Sequence, residues 1–205
     1  MAPSYWQQAC SELARADPVL AGLVGRYAGV GLVSRGDPFV TLLRSIVGQQ
    51  ISVKAADSVW ARFLAIFSNP TPVEVLGCPP EALRGCGLSA RKVEYVIDLA
   101  RHFASGQLDV GRWSAMSDEE LVTELTTVRG IGVWTAEMFL IFNQLRPDVW
   151  PLDDLGLQRA MAIHYYGGER PPRRVLAAHG ERWRPWRSVA TWYLWRSLDP
   201  LPVEY

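Results

Sequence analysis

Two stretches of this chain hold residue types at a spacing that could do chemistry. The first is Val128-Arg129-Gly130-Ile131-Gly132-Val133, where two helical patterns meet at a very short turn. Glycines at 130 and 132 leave backbone amides unshielded at the start of the following helix. Amides placed there, with the positive end of the helix dipole behind them, bind phosphate. The second stretch lies about one helix downstream, where Trp150-Pro151-Leu152-Asp153-Asp154 sets two carboxylates after a Trp-Pro step. A fixed carboxylate can activate water or stabilise positive charge as it develops in a transition state. Each stretch alone has a plain structural alternative: a helix–turn–helix connection for the glycines, and a cap at Asp153 for a helix opening at Asp154. Together they describe a grip on a nucleic-acid backbone with an acid waiting for what the grip delivers.

The elements that must position these residues are all helical. Residues 1–38 read as one or two short helices around Trp6, Leu13, Leu20, Leu23 and Val24, interrupted at Pro18. Phe39, Leu42, Leu43, Ile46 and Val47 then fall on one helical face. Gly48-Gln49-Gln50-Ile51 interrupts that stripe, and Ser52 caps a second helix that gathers Ala56, Trp60, Phe63, Leu64 and Phe67. Capping boxes open at Thr71 and Ser117, the first with Pro72 at the first helical position. Between them Gly87-Leu88-Ser89-Ala90-Arg91-Lys92 is a turn with a Ser89 cap. No segment alternates as a strand does, so the fold class is all-α, with about ten helices joined by short, capped turns.

Composition narrows the function classes. With 49% hydrophobic residues and nine tryptophans the 205-residue chain is not disordered. No apolar run approaches the ~20 residues needed to cross a bilayer. The N-terminus lacks a basic region followed by an apolar block, so the expected location is cytoplasmic. Cys10, Cys78 and Cys86 are too few and too scattered for a zinc site or a disulfide framework. Net charge is zero, which is unusual for a nucleic-acid binder. Between Arg170 and Arg196, however, seven arginines (170, 173, 174, 182, 184, 187 and 196) accompany one acid, Glu181.

In order, the strings VGQQIS, GLSARK, VRGIGVWTA, WPLDD and RPWRS between Phe39 and Trp195 resemble the helix-hairpin-helix (HhH-GPD) DNA glycosylase superfamily, most closely the 3-methyladenine DNA glycosylase II type. One departure is Arg129, where the family usually has proline. The resemblance implies two helical lobes with a DNA-facing cleft between them. One is a six-helix barrel over 38–136 that includes the hairpin; the other covers 137–205 and is completed by residues 1–37. Some relatives have an additional N-terminal β domain, which this chain is too short to contain.

The function implied is excision of alkylated bases such as 3-methyladenine from DNA, leaving an abasic site, as in enzymes of class EC 3.2.2.21. A base inside a duplex cannot be reached, so the nucleotide must be rotated out and the gap filled. The family's wedge position falls on Gln50, and its catalytic aspartate on Asp153. Cleaving the N-glycosidic bond builds positive charge on the sugar, which a carboxylate beside C1′ stabilises. Trp134, Met138 and Trp195 are implied to line the base pocket, where an aromatic face attracts a cationic purine. Trp186 and Trp192 are weaker candidates for that role. Gly130 and Gly132 bind DNA phosphate through their amides, and main-chain carbonyls of Thr126, Val128 and Ile131 are implied to hold a sodium or potassium ion.

Relatives that also cut the strand place a nucleophilic lysine two residues after the second hairpin glycine. Here that position is Trp134, and the chain's two lysines, Lys54 and Lys92, lie elsewhere. The expectation is therefore a monofunctional, monomeric enzyme that needs no cofactor. Three cysteines cannot supply four thiolates to an iron–sulfur cluster, which disfavours the cluster-bearing branches that repair mispaired adenine or oxidised pyrimidines. Two alternatives stay open: a glycosylase for oxidised or mismatched bases, and a DNA-damage binder without turnover.

Overall fold

The computed structural model of this chain describes residues 2–198, and no strand occurs among them. In chain order the helices are α1 (Trp6–Ala16), α2 (Pro18–Arg26), α3 (Pro38–Gly48), α4 (Val53–Ile66), α5 (Pro72–Gly77), α6 (Pro80–Gly85) and α7 (Ala90–Ala104). They continue as α8 (Val110–Trp113), α9 (Asp118–Leu125), α10 (Val133–Phe142), α11 (Leu155–Tyr165), α12 (Arg173–Gly180) and α13 (Arg187–Leu198), with a 3-10 turn at Glu181–Trp183. The number exceeds the ten expected because α5, α6 and α8 are only four to six residues long. Pieces that short bury too few apolar side chains to show a helical period.

Helix starts follow local chemistry. Ser52, Ser89 and Asp37 each accept an amide of the first turn they precede. Thr71–Glu74 and Ser117–Glu120 form reciprocal capping boxes. Pro18 does not break a helix; it opens α2, and Asp17 caps it through the amides of Val19 and Leu20.

The chain divides into two compact units, residues 2–34 with 140–198 and residues 35–139, so the boundary falls inside α10. In the 35–139 unit the stripe Phe39, Leu42, Leu43, Ile46 and Val47 is buried, and α3 packs on α4 and α7. Phe39, Phe103, Trp113 and Phe139 follow one another edge to face through its core. The Trp113 indole N–H donates to Glu124 at 2.8 Å.

In the other unit α1 packs on α2, and α13 packs on α2 and α11. Leu13, Leu20, Leu157, Met161, Trp183, Val189 and Tyr193 are buried there. Trp192 is buried edge-on to Trp6 and Tyr193. Trp186 stacks on Tyr5 and donates to Glu12. Trp192 serves the core, and Trp186 packs part-buried at its edge. Among the described residues no helix is long and apolar enough to cross a membrane.

Candidate DNA-binding and catalytic residues

The hairpin is built from its glycines outward. After α9 the chain turns through Thr126 and Thr127, buries Val128, and reaches Gly130 at φ +88. That left-handed conformation suits glycine, and there is no room for anything else. A Cβ on Gly130 would lie 2.2 Å from the Tyr95 ring. Ile131 then turns inward, buried, with its amide donating to the Val128 carbonyl at 3.1 Å. Gly132 is different: its φ is not positive, and a Cβ there would meet nothing within 4 Å. Its lack of a side chain keeps an exposed amide bare and does not serve the turn. Among the described residues the amides of Gly130 and Gly132 have no acceptor.

Helix α7 is the platform beneath this turn. Asp98 Oδ2 accepts the amide of Arg129 at 2.9 Å, Glu94 accepts its guanidinium at 3.0 Å, and Tyr95 fills the space under Gly130. A proline at 129 has no N–H and could not bond to Asp98. Arg129 therefore replaces one way of stiffening the turn with another. The carbonyls of Thr126 and Ile131 accept no hydrogen bond from the described residues, and that of Val128 accepts the Ile131 amide. This donor set, neutral oxygens without a carboxylate, fits a weakly held monovalent cation. No group of three or more His, Cys, Asp or Glu that could hold a metal occurs among the described residues.

Gln50 lies in the loop between α3 and α4, exposed and left-handed at φ +58. Its neighbour Gln49 donates from Nε2 to the Gly130 carbonyl at 2.8 Å. Lys92 donates from Nζ to the Val47 carbonyl at 2.7 Å, and burial draws its pKa below the ordinary lysine value. On α10, Trp134 is 38% exposed, whereas Met138, one helical turn on, is buried.

In the other unit the two carboxylates have separate duties. Asp154 is buried and caps α11, accepting the Leu157 amide at 2.6 Å and the Trp195 indole N–H at 2.7 Å. This corrects the alternative in which the helix opens at Asp154 and Asp153 is its cap. The helix opens at Leu155, one residue later, so the capping oxygen comes from Asp154. Asp153 is left out of the cap, with its side chain 66% exposed and its Oδ1 on Arg173 at 2.7 Å. Trp195 is fixed by Asp154 and by stacking on Phe142, with ring centroids 5.6 Å apart at 14°.

The arginine-rich segment is mostly committed internally. Arg187 grips Asp148 through two nitrogens, Arg184 bridges Asp148 and Glu181, and Arg173 meets Asp153. Arg182 faces His179 and Asp17, and Arg196 lies over the rings of Tyr27 and Trp192. Five of the seven therefore have partners within their own unit, and Arg170 and Arg174 are exposed with none among the described residues.

A model of the HhH-GPD superfamily of base excision DNA repair proteins matches residues 43–185. DNA-3-methyladenine glycosylase 1 of Schizosaccharomyces pombe is 36% identical over 182 residues, covering 87% of this chain and 80% of that protein. The chain belongs to the DNA-3-methyladenine glycosylase family of this superfamily. Two solved structures are similar to it. The DNA-3-methyladenine glycosidase of Bacillus halodurans superposes with a TM-score of 0.86 at 34% identity, covering 93% of this chain and 89% of that one. The S. pombe glycosylase Mag1, in complex with abasic DNA, superposes with a TM-score of 0.81 at 33% identity, covering 97% and 99%.

Sequence reasoning did not find Glu94, Tyr95 and Asp98 under the hairpin, nor Gln49 and Arg173. Asp98 and Glu94 lie 31 and 35 residues from Arg129, and no local pattern pairs residues that distant. The one available signal was Arg129 itself, since losing a stiff residue invites a search for its substitute.

Proposed function

We infer that this protein is a monofunctional DNA glycosylase that extrudes alkylated bases, 3-methyladenine and related cationic purines, and hydrolyses the N-glycosidic bond to leave an abasic site. The observation that carries the chemistry is the division of labour between the aspartates. Because Asp154 takes the helix cap, Asp153 keeps an exposed carboxylate, oriented by its ion pair with Arg173, for the reacting sugar. Placed beside C1′, it stabilises oxocarbenium-like charge and orients the attacking water.

Gly130 and Gly132 hold DNA phosphate through their amides, and a sodium or potassium ion on the carbonyls of Thr126, Val128 and Ile131 reinforces that hold. Gln50 fills the gap left by the extruded nucleotide and offers hydrogen bonds to the orphaned base. Trp134 and Trp195 wall the base, with Met138 beneath Trp134; the aromatic face favours a positively charged purine over its neutral parent. A base that already carries positive charge leaves without strong acid catalysis, so one carboxylate suffices. Water is the nucleophile, since position 134 is tryptophan and the Lys92 amine is tied to a carbonyl. The protein acts as a monomer.

The test is to incubate the wild type and Asp153→Asn with methylated DNA and to identify the released bases. Wild type should release 3-methyladenine and leave abasic sites, and the variant should release almost none. Equal release by the two would remove Asp153 from the mechanism. Tight binding of methylated DNA with no release by wild type would make the protein a damage binder.

A further inference from the structure

The loop carrying Gln50 and the hairpin are fastened together by one side chain. Gln49 Nε2 reaches across 81 positions of sequence to donate to the Gly130 carbonyl at 2.8 Å. That carbonyl belongs to the left-handed glycine whose own amide has no acceptor among the described residues. Gly130 cannot drift, because the Tyr95 ring occupies the space where its Cβ would be and Asp98 holds the preceding amide. The last turn of α3, which leads into the loop, is held as well, with Lys92 donating to the Val47 carbonyl at 2.7 Å.

Directly after these two ties Gln50 sits at φ +58, a conformation that a residue with a side chain keeps only where its surroundings impose it. Gln49 is half-buried, so losing its donor would strand a carbonyl and also release the backbone that holds Gln50 in its unusual shape.

We propose that Gln49 is a positioning residue that couples the hairpin's hold on the DNA backbone to the presentation of Gln50. The duplex is then penetrated only from a turn that is already seated on phosphate. This rests on the reading of Gln50 as the wedge. The two proposals come apart experimentally, because the Gln49 side chain is spent on the Gly130 carbonyl and Gln50 can be substituted separately.

The experiment uses a duplex with one alkylated purine beside 2-aminopurine, whose fluorescence rises when its neighbour unstacks, and an abasic duplex for affinity. Gln49→Met keeps the length of the side chain and removes the donor; Gln49→Glu keeps its shape and sets a carboxylate oxygen against the carbonyl. Gln49→Met should bind the abasic duplex within about threefold of wild type and melt at a similar temperature. Its single-turnover excision should fall about tenfold, the scale of one lost hydrogen bond, with a matching loss of fluorescence amplitude. Gln49→Glu should fall further.

Wild-type unstacking and excision by Gln49→Met would overturn the coupling. So would equal losses of affinity and rate together with a lowered melting temperature, the mark of general structural damage. If Gln50→Ala unstacks and excises like wild type, the wedge reading itself fails.

Discussion

The buried carboxylate of Asp154 accepts the Trp195 indole N–H at 2.7 Å while it caps α11. Two contiguous aspartates thus separate by environment into a buried structural group and an exposed one paired with Arg173. Asp154→Ala removes a helix cap, worth about 1 kcal/mol, and strands a part-buried indole donor at roughly 1–3 kcal/mol. Its melting temperature should drop by roughly 5–10 °C. Asp153→Asn should melt within a degree or two of wild type, since an exposed ion pair contributes little, yet lose at least about a hundredfold in single-turnover excision. Thermal melts beside rate measurements check both, and the reverse pattern would exchange the two roles.

The two hairpin glycines should fail in different ways. Gly130→Ala adds a Cβ into the Tyr95 ring at a left-handed φ, so it should lower the melting temperature as well as DNA affinity. Gly132→Ala has open space around the new methyl and should melt like wild type. Its affinity for any duplex should nevertheless fall by roughly tenfold, because the methyl keeps phosphate off the amides. Equilibrium binding across sequences decides this. An unchanged Gly132→Ala affinity would place the phosphate grip elsewhere.

Acid should destabilise the protein partly through His179. Burial and the neighbouring Arg182 push its pKa down to about 4. Arg182 can only donate, so the His179 Nε2 it faces carries a lone pair, and Nδ1–H donates to Tyr166 at 2.8 Å. The folded state keeps this imidazole neutral, whereas the unfolded chain protonates it near pH 6.5. Between about pH 6.5 and 4 the unfolded chain binds more protons, so stability falls as pH falls through that window. His179→Gln should flatten the slope relative to wild type in denaturant titrations at pH 7, 5.5 and 4.5. Parallel slopes would show that the histidine is not held neutral.

No strand scission should accompany base release. With Trp134 at the position where strand-cutting relatives place lysine, borohydride added during turnover should trap no protein–DNA adduct, and breaks should appear only after added base or heat. A trapped adduct would assign a nucleophilic amine to Lys54, Lys92 or the N-terminus.

Much of the fold could be read from sequence because it is decided locally. Ser52, Thr71, Ser89 and Ser117 announce helix starts within three residues of themselves, and the α3 stripe is periodic. Gly130 was legible for the same reason, since few other residues accept its backbone conformation. Gly132 looked like a second turn residue, although nothing in its backbone requires glycine. The register of the aspartates was half legible. The resemblance put the catalytic candidate at Asp153, but the carboxylate that caps α11 is Asp154, which also accepts the indole N–H of Trp195, 41 residues away. The arginines between 170 and 196 suggested a basic face, because a one-dimensional count cannot show that Asp148, Glu181 and Asp153 already occupy three of them, while Asp17 and aromatic rings engage two more.

The bond between the Arg129 amide and Asp98 makes the hairpin's order contingent on another helix. A proline would carry its stiffness wherever the chain went, even through partial unfolding. Here the stiffness is on loan from α7, and any fluctuation that loosens that helix also slackens the turn. The exchange rate of one backbone hydrogen, that of Arg129, thereby becomes a gauge of how often the molecule is competent to seize its substrate.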